Sequence, residues 1–252
     1  MSQKETRKYS HVSNFTDYME IVYQLAIENN NHLKILDMPA GNGLLSEKLR
    51  ALGHEVISAD INKERKDFLY IDMEKTLPFK DEEFDLVICL EGIEHLINPT
   101  KLISDLCRIC KINGKIIISI PNIQNCYSRI LFLFTGHFFQ FRPENCKFQS
   151  KGTKIDRGHI SPLPYFQLRY LFKEYGMSLK QISGDRYKRK IFMPIYLIVI
   201  LFGYVVESIN YLKSKNKIIF TGIMKDMFSK SALFSRSLIM VFEKDKESKT
   251  EN

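Results

Sequence analysis

The chain has 252 residues, 44% of them hydrophobic, which is enough for one large domain or two small ones and excludes disorder except at the two ends. Its net charge of +8 is uneven: residues 185 to 230 hold nine basic side chains against three acids, so the excess points to an anionic surface for that segment alone. Five cysteines, with Cys107 and Cys110 as the single CxxC pair, leave a four-cysteine zinc site incomplete and fit reduced thiols in the cytoplasm.

The opening "MSQKETRKYS" lacks the apolar core of a secretion signal. Phe15, Tyr18, Met19, Val22, Leu25 and Ala26 then recur at helical spacing, which predicts a helix over about 14–29 within an N-terminal cap of residues 1–32. "HLKILDM" reads as a short strand, and "PAGNGLLSEKLRALG" as a glycine turn followed by a helix that ends near Gly53. The alternation continues with strands at "EVISAD", "FLYID" and "FDLVICL", a helix near 99–111 and a strand at "GKIIISI". Cys107 and Cys110, three apart on that helix, are expected to face the core, with a redox pair as the alternative.

Residues 122–158 read as irregular, aromatic and basic, and a lid is expected over 122–161. A helix at "LPYFQLRYLFKEYG", a strand at "MSLKQISG" and a last strand at "SRSLIMVFEK" follow, before a tail at 245–252 expected to be disordered. Strands alternating with helices predict an α/β fold: a doubly wound, mostly parallel seven-stranded sheet over 33–184 and 235–244, interrupted by an insertion at 185–234.

Three observations point to a nucleotide-like ligand. "ILDMPAGNG" ends a strand in Asp37 and continues into Gly41 and Gly43, whose bare backbone permits a sharp turn and close approach to a ligand. Asp60 ends the next strand, 17 positions after Gly43, where a carboxylate can accept hydrogen bonds from ribose hydroxyls. Asp72 with Met73 ends the third and suits an adenine amino group and ring.

On these residues the sequence resembles the class I S-adenosylmethionine-dependent methyltransferases, a Rossmann-like fold, strongly over 33–122 and weakly to the last strand. "FDLVICLEGIEHL" and "ICKINGKIIISIPN" look like that family's fourth- and fifth-strand motifs. It departs from the commonest glycine pattern in carrying Pro39 and Ala40 before Gly41. The resemblance implies S-adenosyl-L-methionine as cofactor, with Asp37, Ala40, Gly41 and Gly43 along its methionine part, Asp60 on the ribose, and Asp72 with Met73 on the adenine. Ile61, Leu90 and Glu91 join the expected cofactor contacts.

The acceptor side is read from "CLEGIEHLINP". On a helix, Glu91, Glu94 and His95 would share one face, and His159 in "DRGHISPL" could return to that edge through the lid. Two carboxylates and two imidazoles suit a divalent metal such as Mg or Zn. The arrangement resembles the metal-dependent O-methyltransferases of ubiquinone biosynthesis and those of the 3′-terminal ribose of small RNAs, which implies Glu91, Glu94, His95 and His159 as ligands. The alternative is metal-free: Glu94, His95 and His159 as catalytic acid-base groups, with a glutamate capping a helix or supporting the cofactor loop.

"IFMPIYLIVILFGYVV", Ile191 to Val206, is a charge-free run of sixteen residues, shorter than the ~20 that cross a bilayer. With basic flanks on both sides, it reads as an interfacial or re-entrant element on anionic lipid, or else as a buried core helix or oligomer contact. The expected function is O-methylation of a small or lipid-linked acceptor, a quinone precursor or envelope saccharide, by a cytoplasmic enzyme peripheral on the membrane's cytoplasmic face. RNA ribose methylation is the less favoured enzyme reading, and a silent binding module of the same fold is the non-enzyme one.

Overall fold

In the computed structural model, the description covers residues 14–27, 32–63, 65–142, 158–187 and 190–245. Seven strands form one sheet in the order β3-β2-β1-β4-β5-β7-β6. β1 (Lys34–Asp37), β2 (Glu55–Asp60), β3 (Leu69–Tyr70), β4 (Phe84–Leu90) and β5 (Cys110–Pro121) run parallel, while β7 (Ser237–Lys244) is antiparallel to both β5 and β6 (Met177–Gly184). The mostly parallel α/β expectation holds in this order. Because β7 is reversed, its first residue, Ser237, pairs with Pro121 at the carboxyl end of β5.

Two apolar layers cover the sheet. On one face α1 (Asp17–Ile27) and α2 (Leu44–Ala51) bury Tyr18, Val22, Leu45 and Leu49 against Ile35, Ile88, Ile117 and Ile239. On the other, α3 (Pro99–Ile109) and α5 (Tyr165–Glu174) bury Leu102, Leu106, Leu168 and Phe172 against Leu36, Val87, Ile118 and Phe242. Strands covered on both sides explain the continuous apolar runs that stand in for alternation in β4 and β5.

Three local expectations change. The helix near 99–111 stops at Ile109, and Cys110 opens β5, so the CxxC pair straddles a helix and a strand. Both thiols are buried and raised by burial well above the usual thiol range, which makes them inert packing residues. The segment expected to be irregular contains α4 (Cys126–Thr135), capped by the Asn125 side chain on the Ser128 amide at 2.8 Å and closed by Gly136 at φ 73°. The rest of that segment, 143–157, and the expected tail beyond residue 245 lie outside the described residues.

The third change concerns the insertion. Its apolar run continues into a helix of 21 residues, α6 (Met193–Lys213), followed by α7 (Lys217–Met227) and α8 (Lys230–Phe234). At 1.5 Å per residue α6 is about 31 Å long, so its length no longer separates it from a membrane-crossing helix. Tyr196 is its one buried side chain, which rules out a core helix.

Candidate functional site

The glycine loop sits at the carboxyl end of β1, between β2 and β4, where the first crossover begins. Gly43 has φ +79°, and a Cβ there would lie 2.7 Å from the Phe68 ring, so this turn needs glycine on both counts. Asp60, 6% exposed, accepts from the Gly41 amide at 2.8 Å and the Asn62 amide at 2.9 Å. Burial raises its pKa, opposed by hydrogen bonds from the Asn62, Gly41 and Ile61 amides and the Asn62 side chain. Asp60 ends β2 beside the glycine loop, the position from which a carboxylate reaches a ligand hydroxyl.

Asp72 is half-buried and accepts from the Glu74 amide at 3.2 Å. Next to it, Met73 borders Gly92, where an added Cβ would meet the Pro39 ring at 2.7 Å and Met73 Cε at 3.3 Å. Ile61 is exposed beside Asp60, Ala40 and Leu90 are buried, and the Ala40 amide donates to the Ala59 carbonyl at 2.9 Å. Bare glycine backbone, two carboxylates able to accept from hydroxyls or an amine, and apolar side chains between them fit S-adenosylmethionine.

Asp37 is turned elsewhere. It is 2% exposed and accepts from Ser46 Oγ on α2 at 2.6 Å, the start of a chain through Ser58 to Arg50. Burial raises its pKa to about 6. The unfolded chain therefore loses this proton near pH 4 and the folded chain near pH 6, so Asp37 costs stability as pH rises through that window, by roughly 3 kcal/mol at 1.36 kcal/mol per unit. Asp37→Asn is expected to flatten the fall in urea-unfolding stability between pH 4 and 6 relative to the parent protein. An unchanged slope would refute this placement of the charge.

Glu91, Glu94 and His95 do not share a helix face. Glu91 takes a left-handed φ of +47° at the end of β4, and a single 3-10 turn, Ile93–His95, follows. That left-handed residue turns the Glu91 carboxylate away, where its Oε1 accepts from Ser119 Oγ at 3.1 Å. Burial raises its pKa and Arg236 opposes the rise.

The structure does assemble Glu94, His95 and His159: one ligand atom from each lies within 4.8 Å of the others. Glu94 is 1% exposed, its Oε1 lies 4.0 Å from His95 Nε2, and the two imidazoles meet edge-to-face at 4.8 Å. Phe141 stands 5.3 Å from the His159 ring. The backbone brings His159 here: the Ile160 and Ser161 amides both donate to the Glu94 carbonyl, at 2.9 and 3.0 Å, and Ser161 Oγ donates to the Leu96 carbonyl at 2.6 Å.

A second polar group at this edge combines three elements and had no sequence motif. Asp185, 7% exposed, follows β6 and accepts from the Ser237 amide at 2.7 Å. Arg236 precedes β7 and favours the charged forms of both Asp185 and Glu91, and the phenol of Tyr18 on α1 senses Glu91, Arg236 and Glu94. Arg186 ties this corner to the start of α1 through Asp17 at 3.2 Å. In sequence the only hint is that Asp185 and Arg186 follow one predicted strand directly and Arg236 stands second in the next.

This geometry agrees with the comparisons. The family profile described as a methyltransferase domain matches residues 10–182, and the chain belongs to that family; it is a class I S-adenosylmethionine-dependent methyltransferase. It is 29% identical over 168 residues to a ubiquinone biosynthesis O-methyltransferase of Photobacterium profundum, covering 61% of this chain and 67% of the relative. It is 33% identical over 98 residues to a demethylmenaquinone methyltransferase of Clavibacter sepedonicus, covering 34% of this chain and 40% of that one. The chain thus spans about two thirds and two fifths of their lengths. Its fold is similar to that of a SAM-dependent methyltransferase from Archaeoglobus fulgidus, with a TM-score of 0.55 and 18% identity over 90% of this chain and 94% of the other.

Proposed function

We propose that the protein methylates an oxygen of a small or lipid-linked acceptor, a quinone precursor or an envelope saccharide, at the cytoplasmic face of a membrane. The observation that carries this reading is the meeting of Glu94, His95 and His159 beside the strand ends that bear the glycine loop and Asp60. S-adenosylmethionine supplies a methyl group already activated on its sulfonium. What remains for the chain is to orient an acceptor and remove its proton.

His159 or His95 is the base at the acceptor oxygen, and the buried Glu94 carboxylate stabilises the imidazolium that forms. Asp60 and Asp72 hold the cofactor's hydroxyl and amine groups, with Met73, Ile61 and Leu90 as apolar contacts. Gly41, Gly43 and Ala40 keep the loop backbone close, and Asp37 and Glu91 act on the loop and strand end from behind. Relatives named for quinone biosynthesis support an oxygen of a ring-borne hydroxyl, and the exposed apolar α6 supports an acceptor with a lipid tail.

A second reading treats Glu94, His95 and His159 as ligands of Mg or Zn. Donor atoms up to 4.8 Å apart would have to close by as much as ~1.4 Å, since bonds of ~2.1 Å at a tetrahedral centre set neighbours ~3.4 Å apart. Glu91 would not join them. A bound metal would lower the pKa of an acceptor hydroxyl.

The test is purified protein with labelled cofactor on a membrane extract. A labelled lipid-phase product is expected, with turnover unchanged by chelator and no divalent ion in the protein. Label in RNA would replace the acceptor class, and loss of turnover with chelator, restored by Mg or Zn, would replace the acid-base reading with the metal one.

A further inference from the structure

We propose that the outer face of α6 and the last turn of α4 form one docking face for an anionic bilayer, on which the protein lies without crossing. This rests on the membrane reading above and adds its second element and its orientation.

At 100° per residue, Ile195, Leu197, Ile198, Leu201, Phe202, Tyr204, Val205, Val206, Ile209 and Leu212, all exposed, fall on one arc of roughly 200°. The opposite arc holds Tyr196, Gly203 and Glu207 and is turned to the protein: Tyr196 is buried in a cluster with Cys126, Ile130, Met193, Ile200 and Leu233. A crossing helix would have to be stripped from that cluster and carry Glu207 into hydrocarbon. A docked one keeps both its packing and its carboxylate where they are.

α4 runs beside the first half of α6, with Tyr127 6.4 Å from Phe192 and Ile130 in the shared cluster. Its final turn then leaves the body: Leu133 is 77% and Phe134 79% exposed, and Phe132 is exposed beside them, stacked on Phe138. Three consecutive large apolar side chains on a projecting turn next to a bare apolar arc far exceed the scattered exposure of an ordinary soluble surface.

Charge chooses the occupant. Arg186 and Lys190 precede α6, Lys213 ends it, and Lys215 and Lys217 follow, while the apolar arc carries no acid. Two copies of this chain pairing through α6, parallel or antiparallel, would set basic end against basic end. Anionic headgroups complement both ends at once.

The probe is flotation on vesicles of phosphatidylcholine with phosphatidylglycerol. The parent protein is expected to float with them, and far less with phosphatidylcholine alone. Phe132→Ser, Leu133→Ser and Phe134→Ser combined, and separately Ile198→Ser, Phe202→Ser and Val205→Ser combined, should each cut the bound fraction at least about tenfold, with circular dichroism and S-adenosylmethionine affinity at parent values. Tyr187→Cys and Lys215→Cys should both react with an impermeant maleimide added outside sealed vesicles. If the α4 variant floats like the parent while the α6 variant does not, the two-element face is overturned and membrane attachment through α6 stands. Protection of one of the two cysteines would overturn docking in favour of a spanning helix. A parent protein that does not float, or that runs as a dimer dispersed by the α6 variant, would overturn the bilayer as occupant and leave the methyl-transfer reading untouched.

Discussion

Asp60→Ala is expected to weaken S-adenosylmethionine binding by about 100-fold or more, read by isothermal titration. The carboxylate joins the end of β2 to the glycine loop through the Gly41 amide and to its own turn through the Asn62 amide. Hydrogen bonds to a charged group contribute about 1.5–3 kcal/mol each, and truncation strands two loop amides while removing the acceptor for ligand hydroxyls. Losing two ligand bonds at the lower figure gives ~3 kcal/mol, the 100-fold expected. Asp60→Asn keeps an acceptor oxygen without the charge and should fall between. The same alanine should lower unfolding stability, because the Asn62 amide loses its partner in a buried turn. Binding within threefold of the parent would remove Asp60 from the cofactor site.

The second large effect is on turnover. His159→Ala and Glu94→Gln should each lower kcat by roughly 10²–10⁴, the usual contribution of a positioned acid-base group, while cofactor affinity stays at the parent value. Glu94→Gln is the sharper of the two. It preserves volume and leaves the Glu94 carbonyl, which receives the Ile160 and Ser161 amides, in place, so the backbone contact that positions His159 survives. A loss of kcat in Glu94→Gln with parent cofactor affinity therefore reports the carboxylate's charge. Parent turnover in His159→Ala would mean that the imidazole only packs against Phe141 and His95.

The sheet was legible because its strands are covered on both faces, so "FDLVICL" and "GKIIISI" stand out as mainly apolar runs, each followed by a polar change of direction. Gly41, Gly43 and Asp60 were legible because a backbone that must turn sharply admits few residue types. α4 carried a readable signature, with Asn125 before it and Gly136 after it, hidden by the aromatic content of its neighbours.

What escaped was set by tertiary contact. Glu91, Glu94 and His95 have helical spacing, yet a left-handed residue at Glu91 breaks the face before it starts. Asp185, Arg236 and Tyr18 come from three elements joined by the reversed β7, the packing of α1 and the Arg186–Asp17 pair, and no spacing rule connects positions so far apart. The length of α6 escaped for a different reason: the charge-free run ends at Val206, but Glu207 is accommodated on the inner side and the helix continues for another two turns.

The attachment of His159 also bears on how this enzyme could change its acceptor. Ile160 and Ser161 are held by main-chain amides on the Glu94 carbonyl, and any residue but proline can supply such an amide. The side chain at position 160 can therefore vary without unseating the imidazole. On the reading proposed above, that neighbouring side chain could then change with the acceptor while the proton-removing group keeps its place.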